Sequence, residues 1–96
     1  MNESQSLTNN LLIEVDVLAN RLRNIRQSYK TAYNKTLKER LSFENKNIFN
    51  RVNEIYKIAE LLNKRNNEKI NFSNLLFETT KRILNENKFE INLFFL

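Results

Sequence analysis

Fifteen residues, RLRNIRQSYKTAYNK from Arg21 to Lys35, hold five cations and two tyrosines and no carboxylate. The basic run continues to Lys38 and Arg40, and Val17 through Lys38 contains no acidic residue. Arg21, Arg23, Arg26, Lys30, Lys35 and Lys38 are therefore the candidate contacts for a polyanion. Lysine and arginine neutralise phosphates without reading sequence, and Tyr29 or Tyr33, where exposed, can stack on bases. On a helix these charges ring the cylinder instead of forming one strip. Arg23 and Lys30 lie seven apart on the outer face, whereas Arg21 and Arg26 flank an apolar seam that their stems can cover. Both tyrosines fall at seam or seam-edge positions, so the leading expectation is a solvated basic face with buried aromatics. Polyanion contact is the competing one.

Little else in the chain could do chemistry. Cysteine and histidine are absent, which removes disulfides, thiolate metal sites, thiol nucleophiles and the commonest metal ligand and general base. The nearest carboxylate pairs are Glu14 with Asp16 and Glu86 with Glu90. Residues two apart point to different helix faces, and a pair four apart at a frayed end need not converge. Without glycine there is no EF-hand loop and no phosphate-cradling loop. The sequence accordingly predicts no enzyme, no cofactor, no metal site and no small-molecule ligand.

The elements that must position the basic run are helices. Glycine and proline are both absent, so neither the usual helix breakers nor the residues of tight hairpins are available. From Leu11 the apolar residues fall at Leu11, Val15, Leu18, Leu22, Ile25, Tyr29 and Ala32, alternating steps of four and three. That spacing is an a/d seam, broadened by Leu12, Ala19 and Tyr33 into the stripe of a bundle helix. It predicts a first helix over about residues 6–33, with Ser6 or Thr8 as N-cap. A second seam, Ile48, Val52, Ile55, Ala59 and Leu62, widened by Phe49 and Tyr56, predicts a helix over about 37–64. The phase slips between the two seams, so a turn or stutter separates them. Thr36 with Glu39 offers a capping box there, and Ser42 a later start. The asparagine-rich stretch 63–71 reads as a loop, after which Ser73 can cap a third, shorter helix over about 74–85, with Glu78 and Arg82 as an i,i+4 pair.

The tail, 86–96, breaks the pattern. Phe89, Ile91, Leu93 and Phe95 alternate with period two, and Phe94 and Leu96 are apolar on the other side, leaving strand, helix or coil open. The expected fold is all-α, one domain of 96 residues: a long antiparallel helical hairpin, a third short helix and an apolar C-terminal tail.

One hairpin is too thin to cover two broad stripes. The leading functional expectation is therefore a non-enzymatic protein–protein interaction or adaptor module, self-associating or a small subunit of an assembly. Its interface would use Leu12, Phe49, Tyr56 and the tail residues Phe89, Ile91, Leu93, Phe94, Phe95 and Leu96, with residues 21–40 steering an acidic partner. The alternative is a nucleic-acid-binding regulator using the basic first helix and turn. No apolar run approaches the roughly 20 residues of a membrane span, and the polar start has no signal-peptide pattern, so a cytoplasmic protein is expected. A net charge of +5 suits any anionic partner.

Overall fold

With no proline to remove a backbone donor and no glycine to loosen the chain, each four-three seam propagates as helix until its apolar spacing fails. The computed structural model describes the backbone of residues 3–65 and 72–94, and the side chains of 6–64 and 74–87. Three helices result: α1, Glu3–Thr31; α2, Lys35–Arg65; and α3, Phe72–Phe94. All three contact one another. The long axis of the molecule, 49 Å against 21 and 15 Å, is that of α2, whose 31 residues span about 46 Å at 1.5 Å per residue.

The core is the meeting of the three seams. Leu11, Val15, Leu22 and Ile25 of α1, Ile48, Val52, Ile55 and Ala59 of α2, and Leu76 and Ile83 of α3 form one buried cluster. Leu12, Leu18, Ala19, Leu41, Ile58, Phe77 and Leu84 pack around it. Each fully buried aliphatic side chain contributes roughly 1.5–3 kcal/mol. Every α1 and α2 seam residue named from the sequence is buried or half-buried, while the α2 seam also continues inward before Ile48 through Asn45 and Ser42. The sequence underestimated α3, which runs on to Phe94 through most of the segment expected to be a tail. The reason is that its own rhythm does not stop: Leu76, Thr80, Ile83 and Asn87, spaced four-three-four, are all buried, and nothing between Asn85 and Phe94 breaks a helix. The other bounds shift less. Because α1 starts at Glu3, Ser6 and Thr8 lie inside it; α2 extends to Arg65, and α3 already includes Ser73. Arg82 pairs with Glu86 at 3.8 Å, one turn beyond the expected Glu78.

Two cross-helix ion pairs mark the hairpin register. Arg51 clasps Glu14 with two parallel bonds, Nε to Oε2 at 2.6 Å and Nη2 to Oε1 at 2.9 Å, and also donates to Glu54 at 3.1 Å. Arg21 donates to Glu44 at 2.6 Å. A stacked pair, Tyr56 and Phe77 with centroids 5.1 Å apart, marks the level at which α3 crosses back along α2. Carried along an antiparallel pair, that register brings Asn87 of α3 to about the level of Asn45 of α2. Both asparagines are buried, at 3% and 1% exposure. Asn87 spends its amide nitrogen on the Ile83 carbonyl, while Asn87 Oδ1 and both polar atoms of Asn45 have no hydrogen-bond partner among the described residues. Buried Thr80 is satisfied within its own helix, donating toward the carbonyls of Leu76 and Phe77.

Two predictions follow from this packing. An unpartnered buried amide costs roughly 1–3 kcal/mol, and an apolar replacement of similar volume removes that cost. Asn45→Leu is therefore expected to raise the thermal midpoint, by about 4–8 °C per kcal/mol gained in a domain this size, read by circular dichroism. A lower midpoint would mean that the amide is satisfied in solution. The second concerns Glu14, whose carboxyl is held below the ordinary glutamate range by its hydrogen bonds from Arg51, partial burial opposing and the Arg51 charge adding. A depressed folded value means the pair stabilises above the unfolded pKa of about 4.3 and is lost as pH falls through the lower folded value. With both side chains more than a third exposed, Glu14→Gln is expected to cost no more than about 1 kcal/mol at neutral pH. The parent and variant denaturation curves should begin to approach each other as pH falls below about 4.3 and meet only once it has passed below the depressed folded value.

Candidate anion-binding tip

The basic run folds into one end of the rod. The last turns of α1, the three-residue connection 32–34 and the first turns of α2 form a closed tip. Asn34 builds its α2 side: its Oδ1 accepts the backbone N–H of Leu37 at 2.7 Å, and its carbonyl accepts the N–H of Lys38 at 3.2 Å. Asn34 is thus the N-cap, in place of the expected Thr36–Glu39 box, because a polar side chain one residue ahead of the first helical residue is better placed to reach the third helical N–H. On the α1 side, the Thr31 hydroxyl donates toward the carbonyls of Ser28 and Gln27, at 3.2 and 3.5 Å. No residue of the described backbone adopts positive φ, so the turn closes without a left-handed residue.

Charge is segregated at this tip. Residues 23–40 hold Arg23, Arg26, Lys30, Lys35, Lys38 and Arg40 against the single carboxylate of Glu39. That accounts for the chain's whole net charge of +5, since the remaining ten basic and ten acidic residues cancel. At the helical rise the α1 half of the tip, residues 23–31, is about 13 Å long and the α2 half, residues 35–40, about 9 Å, so six cations occupy roughly the last quarter of the 49 Å rod. Among the described residues, Arg26, Lys30, Lys35 and Arg40 make no ion pair. Arg23 donates to Asn20 at 3.1 Å, and the Lys38 ammonium lies 5.6 Å from the Tyr29 ring centre, across the hairpin. Arg21, grouped with these cations on sequence, is engaged by Glu44 at 2.6 Å and marks the inner boundary of the tip.

The aromatics divide. Tyr29 is half-buried as its seam position required, but Tyr33, expected at a seam edge, is 96% exposed. The seam ends at Ala32, and α1 ends one residue earlier, so Tyr33 leaves with the turn. Phe43 and Leu37, not singled out on sequence, are also exposed, at 66% and 41%. Phe43 was detectable: it lies off the α2 seam, where a phenylalanine has no core to enter. Thr36, Arg40, Phe43 and Asn47 are all exposed, and their three-four spacing lines them along one face of α2, which Tyr33 precedes in the turn.

The residues expected at a protein interface sit elsewhere. Leu12 is half-buried against the core, Tyr56 stacks on Phe77 and Phe49 is half-buried. The side chains of Phe89, Ile91, Leu93, Phe94, Phe95 and Leu96 lie outside the described residues. The concavity along α3 lined by Glu78, Lys81, Arg82, Asn85 and Glu86 is open and carries both charge signs. Among the described residues, no group of three acidic side chains is placed to hold a metal ion, and no helix is long and apolar enough to cross a membrane. No protein-family model, curated protein or solved structure matches the chain.

The tip's order depends on its cap. Replacing Asn34 with alanine should lower stability by about 1 kcal/mol and speed amide exchange at Leu37, whereas Asn34→Asp keeps the acceptor and should preserve both. Unchanged Leu37 exchange in the alanine variant would assign the cap elsewhere.

Proposed function

We propose that the chain is a non-enzymatic helical interaction module of the cytoplasm that engages an anionic macromolecule through its hairpin tip. The observation that carries this reading is the segregation of charge. Six cations and one carboxylate fall within eighteen consecutive residues, and the rest of the molecule is formally neutral. A merely solvated surface gives no reason for that imbalance, since interspersed charges solubilise equally well and repel one another less. An anionic partner would gain from it twice, in long-range steering and in counterion release on contact. In this reading, Arg23, Arg26, Lys30, Lys35, Lys38 and Arg40 are the contacts, and Arg21 serves the register of the hairpin.

Self-association through apolar seam edges receives less support, because Leu12 and Tyr56 are occupied within the monomer. The test is charge reversal with a positional control. Arg23→Glu combined with Lys30→Glu should weaken retention on heparin and binding to any soluble polyanion by more than tenfold, with helicity by circular dichroism unchanged. The same reversal at Lys57 and Lys81, exposed cations away from the tip, should have a much smaller effect. Equal losses from both pairs would reduce the tip to a share of overall charge and overturn the assignment.

A further inference from the structure

We infer that the anionic partner is a single-stranded nucleic acid, held on the Tyr33–Arg40–Phe43 face of the tip. The inference rests on the anion-binding reading above and adds the partner's class to it. Its basis is the arrangement of rings among the charges. Tyr33 and Phe43 are aromatic side chains with 96% and 66% of their surface in solvent, and Tyr33 does no packing work that would explain its presence. Tyr33 lies in the turn that leads into α2, and Phe43 stands on the exposed α2 face that also carries Thr36, Arg40 and Asn47. At 1.5 Å per residue, the helix from Lys35 to Phe43 is about 13 Å long, a length matched by about four stacked nucleotides at 3.4 Å each. Aromatic platforms separated by cations are what an unpaired strand requires. Every base offers a flat apolar face irrespective of sequence, and every linkage brings a phosphate. Arg40 lies between the two rings in sequence, one turn before Phe43 on the same face, and Lys35 and Lys38 are exposed on the same stretch of α2.

The competing partners use the surface less completely. A duplex answers the cations but keeps its base faces stacked inside, leaving Tyr33 and Phe43 without a role. An acidic protein also answers the cations. Protein hot spots, however, gather their aromatics in one desolvated centre, whereas these two rings stand apart with an arginine between them.

The test is a fluorescence-anisotropy titration of the full chain with a short labelled oligouridylate, a duplex of the same length and inorganic polyphosphate as competitor, repeated at several salt concentrations. The single strand is expected to bind more tightly than the duplex, and polyphosphate to compete poorly at equal charge. Tyr33→Ala and Phe43→Ala should each lower single-strand affinity about tenfold, within the range of base stacking on an aromatic, with the salt slope unchanged. Arg40→Gln should instead reduce the salt slope by about one. Both rings are exposed, so these variants fold; Tyr33→Phe, which keeps the stacking face, should restore binding. Ring variants that bind the single strand as the parent does, or equal binding of duplex, polyphosphate and single strand, would overturn the inference while leaving the anion-binding tip standing. No binding of any of the three at low salt would overturn both.

Discussion

The antiparallel register of α1 on α2 decides where every other feature of this molecule lies. Burial of the seams supplies the energy, at roughly 1.5–3 kcal/mol for each aliphatic side chain in the ten-residue cluster. A heptad seam, however, is nearly as well buried after a slip of seven residues, so burial alone does not select the register. The ion pairs do. Glu14 and Arg21 are seven apart on α1, and their partners Arg51 and Glu44 are seven apart on α2. A slip one way would bring Glu14 opposite Glu44, and a slip the other way would bring Arg21 opposite Arg51. Each pair is worth no more than about 1 kcal/mol in place. What matters is that both alternative registers replace attraction with like-charge contact.

The asparagines within the bundle have no such selective role. Asn45 and Asn87 interrupt seams that would be more stable with leucine, and three of their four amide heavy atoms lack partners. The one bond they make among the described residues, from Asn87 Nδ2 to the Ile83 carbonyl, lies within α3 and survives any slip of that helix, so these amides carry a stability cost without selecting a register.

Much of this was legible in the sequence. The a/d positions of α1 and α2 were read correctly because a long run of four-three spacing has no other periodic interpretation, and because a chain without glycine or proline offers few places to stop. The length of α3 was obscured by two things: Thr80 and Asn87 stand at inward positions where apolar residues were sought, and Phe89 to Phe95 imitates a strand over too short a window to exclude a helix. The cap was misassigned because Thr36–Glu39 matches a motif, whereas Asn34 acts through one acceptor whose position depends on where α1 ends. Glu14–Arg51 and Arg21–Glu44 are separated by 37 and 23 residues and could be seen only once the register was known. For the same reason Arg21 looked like one more cation of the basic run.

The tip itself was seen as a list of charges, and the fold changed its meaning. On an isolated helix the basic residues encircle the cylinder, a distribution that suits solvent as well as any partner. Folding the chain at residues 32–34 brings the end of one helix and the start of the next together, so charges up to seventeen positions apart in sequence share one knob. Neighbouring like charges about 8 Å apart repel by roughly 0.5 kcal/mol in water before salt screens them. The hairpin therefore bears a modest electrostatic cost at the end held rigid by the Asn34 cap. The backbone that carries these cations is already helical at a capped hairpin and would need no ordering when an anion arrived, so in the proposed reading less of their attraction is spent on chain entropy. A disordered basic tail of equal charge would forfeit that advantage to chain entropy.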